Sequence, residues 1–236
     1  MTRAVVLDPR RGRFYYAATL LVLAGAGCRG APEPIAPIGL RPIAPTVVEQ
    51  WAASLRPTMP TQYNVRWRFT RPQGSVAGRA VIRYQGPDTL RFDYRGPFGR
   101  SGAAMFVGAD VVWAQPAAEL RELIPTAPLF WAGLGLPLGP APGMTFAGLE
   151  DEGVRAWRYL GGGDVLDVVW RPAARHLQAE FRQDDRLIGL ADVQYDSIGV
   201  PATAELRFPG TAGRLSFRFE AVTTVERFTP ETWRRP

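Results

Sequence analysis

Downstream of residue 60 the chain alternates apolar and polar residues, and the alternation restarts after nearly every turn signal. Tyr63, Val65, Trp67 and Phe69 interleave with Asn64, Arg66 and Arg68, the signature of a half-buried strand. Val76 to Tyr84 repeats it with Arg79 and Arg83 outward, and Gly86-Pro87-Asp88 turns the chain into Leu90, Phe92 and Tyr94. Gly96-Pro97-Phe98-Gly99 breaks that strand, Ala103–Val107 resumes, and Gly108-Ala109-Asp110 leads into Val111–Gln115. Later strands are predicted at Val154–Leu160, Val165–Trp170, His176–Phe181, Leu187–Tyr195, Ala204–Phe208 and Leu215–Val222. Strands this close, joined by short turns, must be antiparallel neighbours. About eleven of them form a meander that has to curl to bury one face. The expected fold is mainly β, of α+β class: a curled antiparallel sheet, or half-open β-barrel, with short helices plugging its concave face.

Two stretches break the rhythm. Thr46-Val47-Val48-Glu49 reads as a capping box opening a short helix through Leu55, with Val48, Trp51 and Leu55 on one face. Pro116–Ile124 reads as one or two helical turns, and from Leu123 to Leu149 there is no charge. Prolines 125, 128, 137, 140 and 142, with five glycines, argue against a membrane span there. That region is either a buried plug in the concave face or a mobile apolar lid over a lipid-sized cavity.

The N-terminus has another character. Arg10, Arg11 and Arg13 precede an uncharged run from Phe14 to Ala26, and Gly25-Ala26-Gly27 leads directly into Cys28. Charged, apolar and small regions in this order read as an export signal over residues 1–27. The ending resembles the lipobox of bacterial lipoproteins, with Gly25 where a Leu-like residue is usual; an ordinary cleavage site with an accidental cysteine is the other reading. Cys28, the chain's only cysteine, is the expected lipidation site. Arg29, rather than Asp, after it favours the outer membrane. Residues 30–45 carry five prolines, so 28–45 is expected to be a lipidated tether and 46–236 the folded domain.

Composition narrows the chemistry. All 28 basic residues are arginine, and the formal charge is +6. Four arginines against Asp8 account for half of that excess before residue 14, and no run of clustered arginine follows, so no nucleic-acid surface is expected. One cysteine and one histidine exclude an internal disulfide and His-pair zinc sites. His176 is expected to face solvent, and Glu150-Asp151-Glu152 and Asp184-Asp185 fall in predicted turns. No catalytic residue, metal site or cofactor is expected.

The order of elements resembles the Lol-type lipoprotein carriers and receptors (LolA and LolB), and the receptor more than the carrier. Leu90 to Gly99 resembles the receptor's strand ending in a Pro-Leu-Gly loop. Ala118 through Ile124, Phe130-Trp131 and Gly135-Leu136-Pro137-Leu138 resemble its helix, tryptophan and Gly-Leu-Pro segment, and Gly213 to Phe219 is similar to its last strand. The long proline tether and Phe228–Pro236 depart from that pattern. The resemblance implies an apolar interior for acyl chains such as palmitate, with Phe98 as a protruding membrane-probing residue unless it folds back onto the sheet. Trp67, Phe69, Phe92, Met105, Trp113, Trp131, Phe181 and Phe217 become candidates for cavity lining or lid, each otherwise simple core. It further implies a lipid-anchored protein on the periplasmic side of the outer membrane. Such a protein binds lipid or acylated lipoprotein cargo and receives it from a periplasmic carrier. The alternative is a non-catalytic scaffolding lipoprotein that binds a protein partner.

Overall fold

The computed structural model describes residues 34–236; Cys28 and the expected signal segment lie outside the described residues. Thirteen strands form one antiparallel sheet. They are β1 (Arg41–Pro42), β2 (Thr61–Arg71), β3 (Gly74–Gln85), β4 (Thr89–Arg95), β5 (Ser101–Val107), β6 (Asp110–Gln115) and β7 (Thr145–Asp151). Then come β8 (Val154–Gly161), β9 (Asp164–Arg171), β10 (His176–Gln183), β11 (Arg186–Tyr195), β12 (Pro201–Phe208) and β13 (Gly213–Thr224). Three short helices accompany them: α1 (Pro45–Ala53), α2 (Ala117–Leu123) and α3 (Ala127–Gly133).

The strand order is β1-β7-β8-β9-β10-β11-β12-β13-β2-β3-β4-β5-β6. Two meanders meet where β13 pairs with β2, Phe217 opposite Trp67 and Leu215 opposite Phe69. The ends of this order, β1 and β6, are not paired, so the sheet curls without closing into a barrel. The eleven strands predicted by alternation are β2 to β6 and β8 to β13. β1 and β7 were not anticipated, because both lie in Pro- and Gly-rich sequence without a polar partner residue at every second place. β7 uses its glycine for close approach: a Cβ on Gly148 would stand 2.3 Å from Ile43 Cδ1 and 2.9 Å from the Trp51 ring, where α1 packs.

Helix α1 departs from the predicted start. Its N-cap is Ala44, Pro45 occupies the first turn, and no side chain caps it. Proline's fixed φ sets the helix going one residue early, which leaves Thr46 inside it. Glu49 instead pairs with Arg56 at 2.5 Å. The proline-rich stretch also differs from a free spacer. From residue 34 it belongs to the same unit as the sheet: Ile43 N–H donates to the Phe146 carbonyl, and Arg41 and Pro42 pair with Gly148 and Ala147.

The concave face carries one apolar cluster. Along β2, β3 and β4 every second residue faces it, from Tyr63 to Phe69, Ala80 to Tyr84 and Leu90 to Tyr94. The uncharged segment after α2 drops into the trough. Leu129, Phe130, Trp131, Ala132, Leu134 and Leu136 are all at most 1% exposed, which makes α3 a plug.

Candidate functional site

The plug is held by named contacts. Trp131 Nε1–H donates to the Gly108 carbonyl at 2.8 Å, tying α3 to the β5–β6 turn. Tyr195 O–H donates to the Gly135 carbonyl at 2.9 Å. Gly135, at φ +76°, holds a left-handed turn in which a Cβ would also strike the Tyr195 hydroxyl. Phe130 stacks among Phe92, Phe106 and Phe217, with ring centroids 5.4 to 6.2 Å apart. Aromatic clusters of this kind contribute about 0.5–1.5 kcal/mol per pair beyond area burial. Phe92, Trp131 and Phe217 therefore fill the middle of the trough.

Space remains at its two ends. At one end, where the β3–β4, β5–β6 and β8–β9 turns gather, lies a mostly apolar cavity of about 510 Å³. Leu138, Met144, Tyr159, Leu166 and Phe181 form its apolar wall, with Pro140 and Pro142 over it. The volume falls within the roughly 300–1,000 Å³ range of small-molecule sites. Its roof is the proline-rich loop after α3, fastened by Tyr159, whose hydroxyl donates to the Leu138 carbonyl at 2.5 Å while accepting from Trp157 Nε1 at 2.9 Å. Burial pushes the Tyr159 phenol well above its ordinary pKa, so it remains a donor across the physiological range.

Its polar rim consists of the Glu49–Arg56 pair with Asp88 and Asp164. The Arg56 side chain is only 6% exposed and also donates to the Pro87 carbonyl at 3.1 Å, joining α1 to the β3–β4 turn. Gly139 passes directly over this pair, and a Cβ there would meet Glu49 Oε2 at 2.1 Å. The cavity thus has an oily interior and a charged rim.

At the other end a smaller cavity of about 240 Å³ lies beneath the β4–β5 connection, lined by Trp67, Phe69, Tyr94, Gly96 and Pro97. Trp67 and Tyr94 meet edge to face at 5.6 Å, and Tyr94 O–H donates to Glu119 of α2 at 2.7 Å. The connection carries Phe98, which is fully exposed and holds the left-handed conformation (φ 57°, ψ 33°) that a non-glycine residue seldom adopts. It does not fold back onto the sheet.

Of the residues proposed as cavity lining, Phe181 reaches the larger cavity, Trp67 and Phe69 the smaller, and Phe92, Trp131 and Phe217 the filled centre. Met105 and Trp113 require correction. Met105 pairs with Arg91 and Trp113, and these three share the outer face, because Leu90, Phe92 and Phe106 on either side point inward. Trp113 there lies 5.2 Å beneath the Arg91 guanidinium, a cation–π contact. Sequence reading missed Leu138, Met144, Tyr159, Leu166 and the Arg56 rim. Leu138 and Met144 fall in the uncharged stretch and so carried a signal; Arg56 carried none, because its partners arrive from helix α1 and from the β3–β4 turn.

His176 lies on the outer face with Nε2 2.9 Å from Asp192 Oδ2, and Asp184 and Asp185 take positive φ in the β10–β11 turn. Glu150 and Asp151 end β7, and only Glu152 enters the turn. Among the described residues no three His, Cys, Asp or Glu converge as metal ligands, and no helix is long and apolar enough to cross a membrane.

No family model matches the sequence, and no curated protein is significantly similar to it. Solved structures share its fold. A LolA superfamily protein from Nitrosomonas europaea superposes with a TM-score of 0.56 at 12% identity, covering 82% of this chain and 98% of that one. A DUF1329 family protein from Desulfovibrio piger gives a TM-score of 0.52 at 8% identity, covering 80% and 95%. At such identities the likeness is one of fold.

Proposed function

We propose that this chain is an exported, lipid-anchored binding protein of the bacterial envelope, which holds the acyl part of a lipid or lipoprotein in the cavity beneath the proline-rich loop. The reading places a signal peptide at 1–27, acylation at Cys28 and an outer-membrane, periplasm-facing domain beyond it. It involves no bond chemistry. The observation that carries it is the 510 Å³ cavity itself: an apolar hollow left open at one end of a trough whose middle is packed solid. Likeness of fold to a LolA superfamily protein supports the same class of task. Within that class a receptor, rather than a soluble carrier, fits Cys28 and the bare Phe98 ring, which would probe the bilayer as cargo leaves.

One observation favours a scaffolding lipoprotein instead. The plug divides the trough, so the hollow is two end cavities and not one continuous groove. A saturable fluorescent acyl probe decides between them. Protein extracted from membranes should bind it, and mass spectrometry should find acyl groups on Cys28. Ala141→Trp, which fills the cavity from its loop wall, should abolish probe binding and leave the melting midpoint unchanged. Undiminished binding by that variant, or no binding by the parent, removes the carrier reading.

A further inference from the structure

The outer face of the sheet places arginines where the linear sequence showed none together. Arg218, Arg66, Arg79 and Arg95 stand directly opposite one another across β13, β2, β3 and β4. Four residues nearer the β3–β4 turn, beyond the Val81–Asp93 pair, Arg83 stands opposite Arg91. Like charges in facing positions destabilise a sheet, by an amount comparable to the roughly 0.2–1 kcal/mol that opposite charges contribute. The fold tolerates that repulsion with few counter-charges. Arg66 pairs with Glu220, and Asp93 alone serves both Arg83 and Arg91, at 2.7 Å from each. Among the described residues no carboxylate lies within ion-pair distance of Arg79, Arg95 or Arg218.

This is a groove as well as a charged patch. A cavity of about 710 Å³ lies over Arg79, Arg83, Arg91 and Arg95, with Asp93 the one acidic side chain in its lining. Its far wall is the C-terminal segment, which Arg91 grips by donating to the Thr232 and Arg234 carbonyls at 2.6 and 2.7 Å. Arg235 adds a bond to Gln115 at 3.2 Å, and Pro236 lines the groove. Arg91 and Arg83 are thereby spent on Asp93 and the backbone, which leaves Arg79 and Arg95 as two uncommitted guanidinium forks on neighbouring strands.

We infer that this outer groove is a binding site for a phosphate or phosphate ester, held between Arg79 and Arg95. Cα atoms in facing antiparallel positions are about 4.5–5.5 Å apart, so both forks can address one small anion. A carboxylate has two oxygens and satisfies one fork; a phosphate offers three or more acceptor oxygens and the second charge that two guanidinium groups call for. The site faces away from the acyl cavity and stands whether or not that cavity binds cargo. The phosphate can come from a lipid headgroup or from a free phosphorylated solute, and the two are separable by experiment.

Inorganic pyrophosphate is the probe, titrated calorimetrically into the full chain at constant ionic strength. We expect saturable binding that the double variant Arg79→Gln/Arg95→Gln weakens about tenfold or more, as loss of charge-assisted hydrogen bonds requires. Arg68→Gln/Arg214→Gln, on the same face but outside the groove, should bind as the parent does. Circular dichroism and melting of the double variant check that it folds. Retention on phosphatidylglycerol but not phosphatidylcholine vesicles, competed by pyrophosphate, assigns the site to headgroups; pyrophosphate binding without retention assigns it to a soluble phosphate. Absence of saturable binding, or equal loss in the two double variants, overturns the site.

Discussion

A single methyl group is enough to test how tightly the sheet is laid at the β4–β5 connection. Gly78 lies opposite Trp67 on the inner face of β3, and a Cβ added to it would stand 1.9 Å from the Arg95 carbonyl oxygen. That neighbour is backbone and cannot swing aside. Gly78→Ala should therefore push the end of β4, and the Phe98 loop with it, off the sheet at a cost of about 1–3 kcal/mol or more. Gly210 meets open space, so Gly210→Ala should be neutral or stabilise by up to about 1 kcal/mol through the unfolded chain. Paired denaturant titrations check this. Equal midpoints for the two variants would mean that the crossing over Gly78 is not tight.

At the scale of elements the question is whether α3 is a plug or a lid. Its side chains are buried from Leu129 to Leu136, and its indole is bonded to the β5–β6 turn, so removal should act as a core truncation. Trp131→Ala should cost about 3–5 kcal/mol, and Trp131→Phe, which mainly loses the bond to Gly108, about 0.5–1.5 kcal/mol. A cost below about 1 kcal/mol for the alanine variant would describe a lid resting on the sheet instead. The sequence made the inner faces of β2, β4 and β13 legible, because Trp67, Phe69, Phe92 and Phe217 alternate with charged or polar residues. It misled at β5 and β6, where Ala103, Ala104, Met105 and Phe106 are apolar in succession and the register shifts between Met105 and Phe106. With no polar residue to mark the outer side, Met105 and Trp113 were assigned inward. β7 was hidden for the same reason, and the arginine row was hidden because its members are 12 or more residues apart and only pairing brings them into line.

For the whole molecule, the charge set and the buried tyrosines together dictate an unusual response to alkali. The chain has no lysine, and its 28 basic side chains are all arginine. With no lysine present, tyrosine is the side chain that ordinarily ionises near pH 10. Burial raises the phenols of Tyr63, Tyr159 and Tyr195 above their ordinary value of 10.0, and raises those of Tyr84 and Tyr94 as well. In the unfolded chain these groups ionise near pH 10, whereas in the folded protein they stay protonated beyond it. Above about pH 10 the unfolded state thus binds fewer protons than the native one, and stability falls as pH rises. Between its unfolded pKa and its raised folded one each fully buried phenol lowers stability by up to about 1.4 kcal/mol per pH unit, whereas below the unfolded pKa that stability is present in full. Denaturation midpoints should be flat through neutral pH and drop steeply beyond about pH 10, with phenolate absorbance appearing together with unfolding. Tyr159 and Tyr195 both hold the C-terminal end of the plug segment, through the Leu138 and Gly135 carbonyls, so their ionisation strikes the element on which the trough depends. At neutral pH Tyr159→Phe should lose two hydrogen bonds and Tyr195→Phe one, yet each should flatten the alkaline slope. Phenolate appearing well before unfolding would show instead that water already reaches these hydroxyls in the native trough.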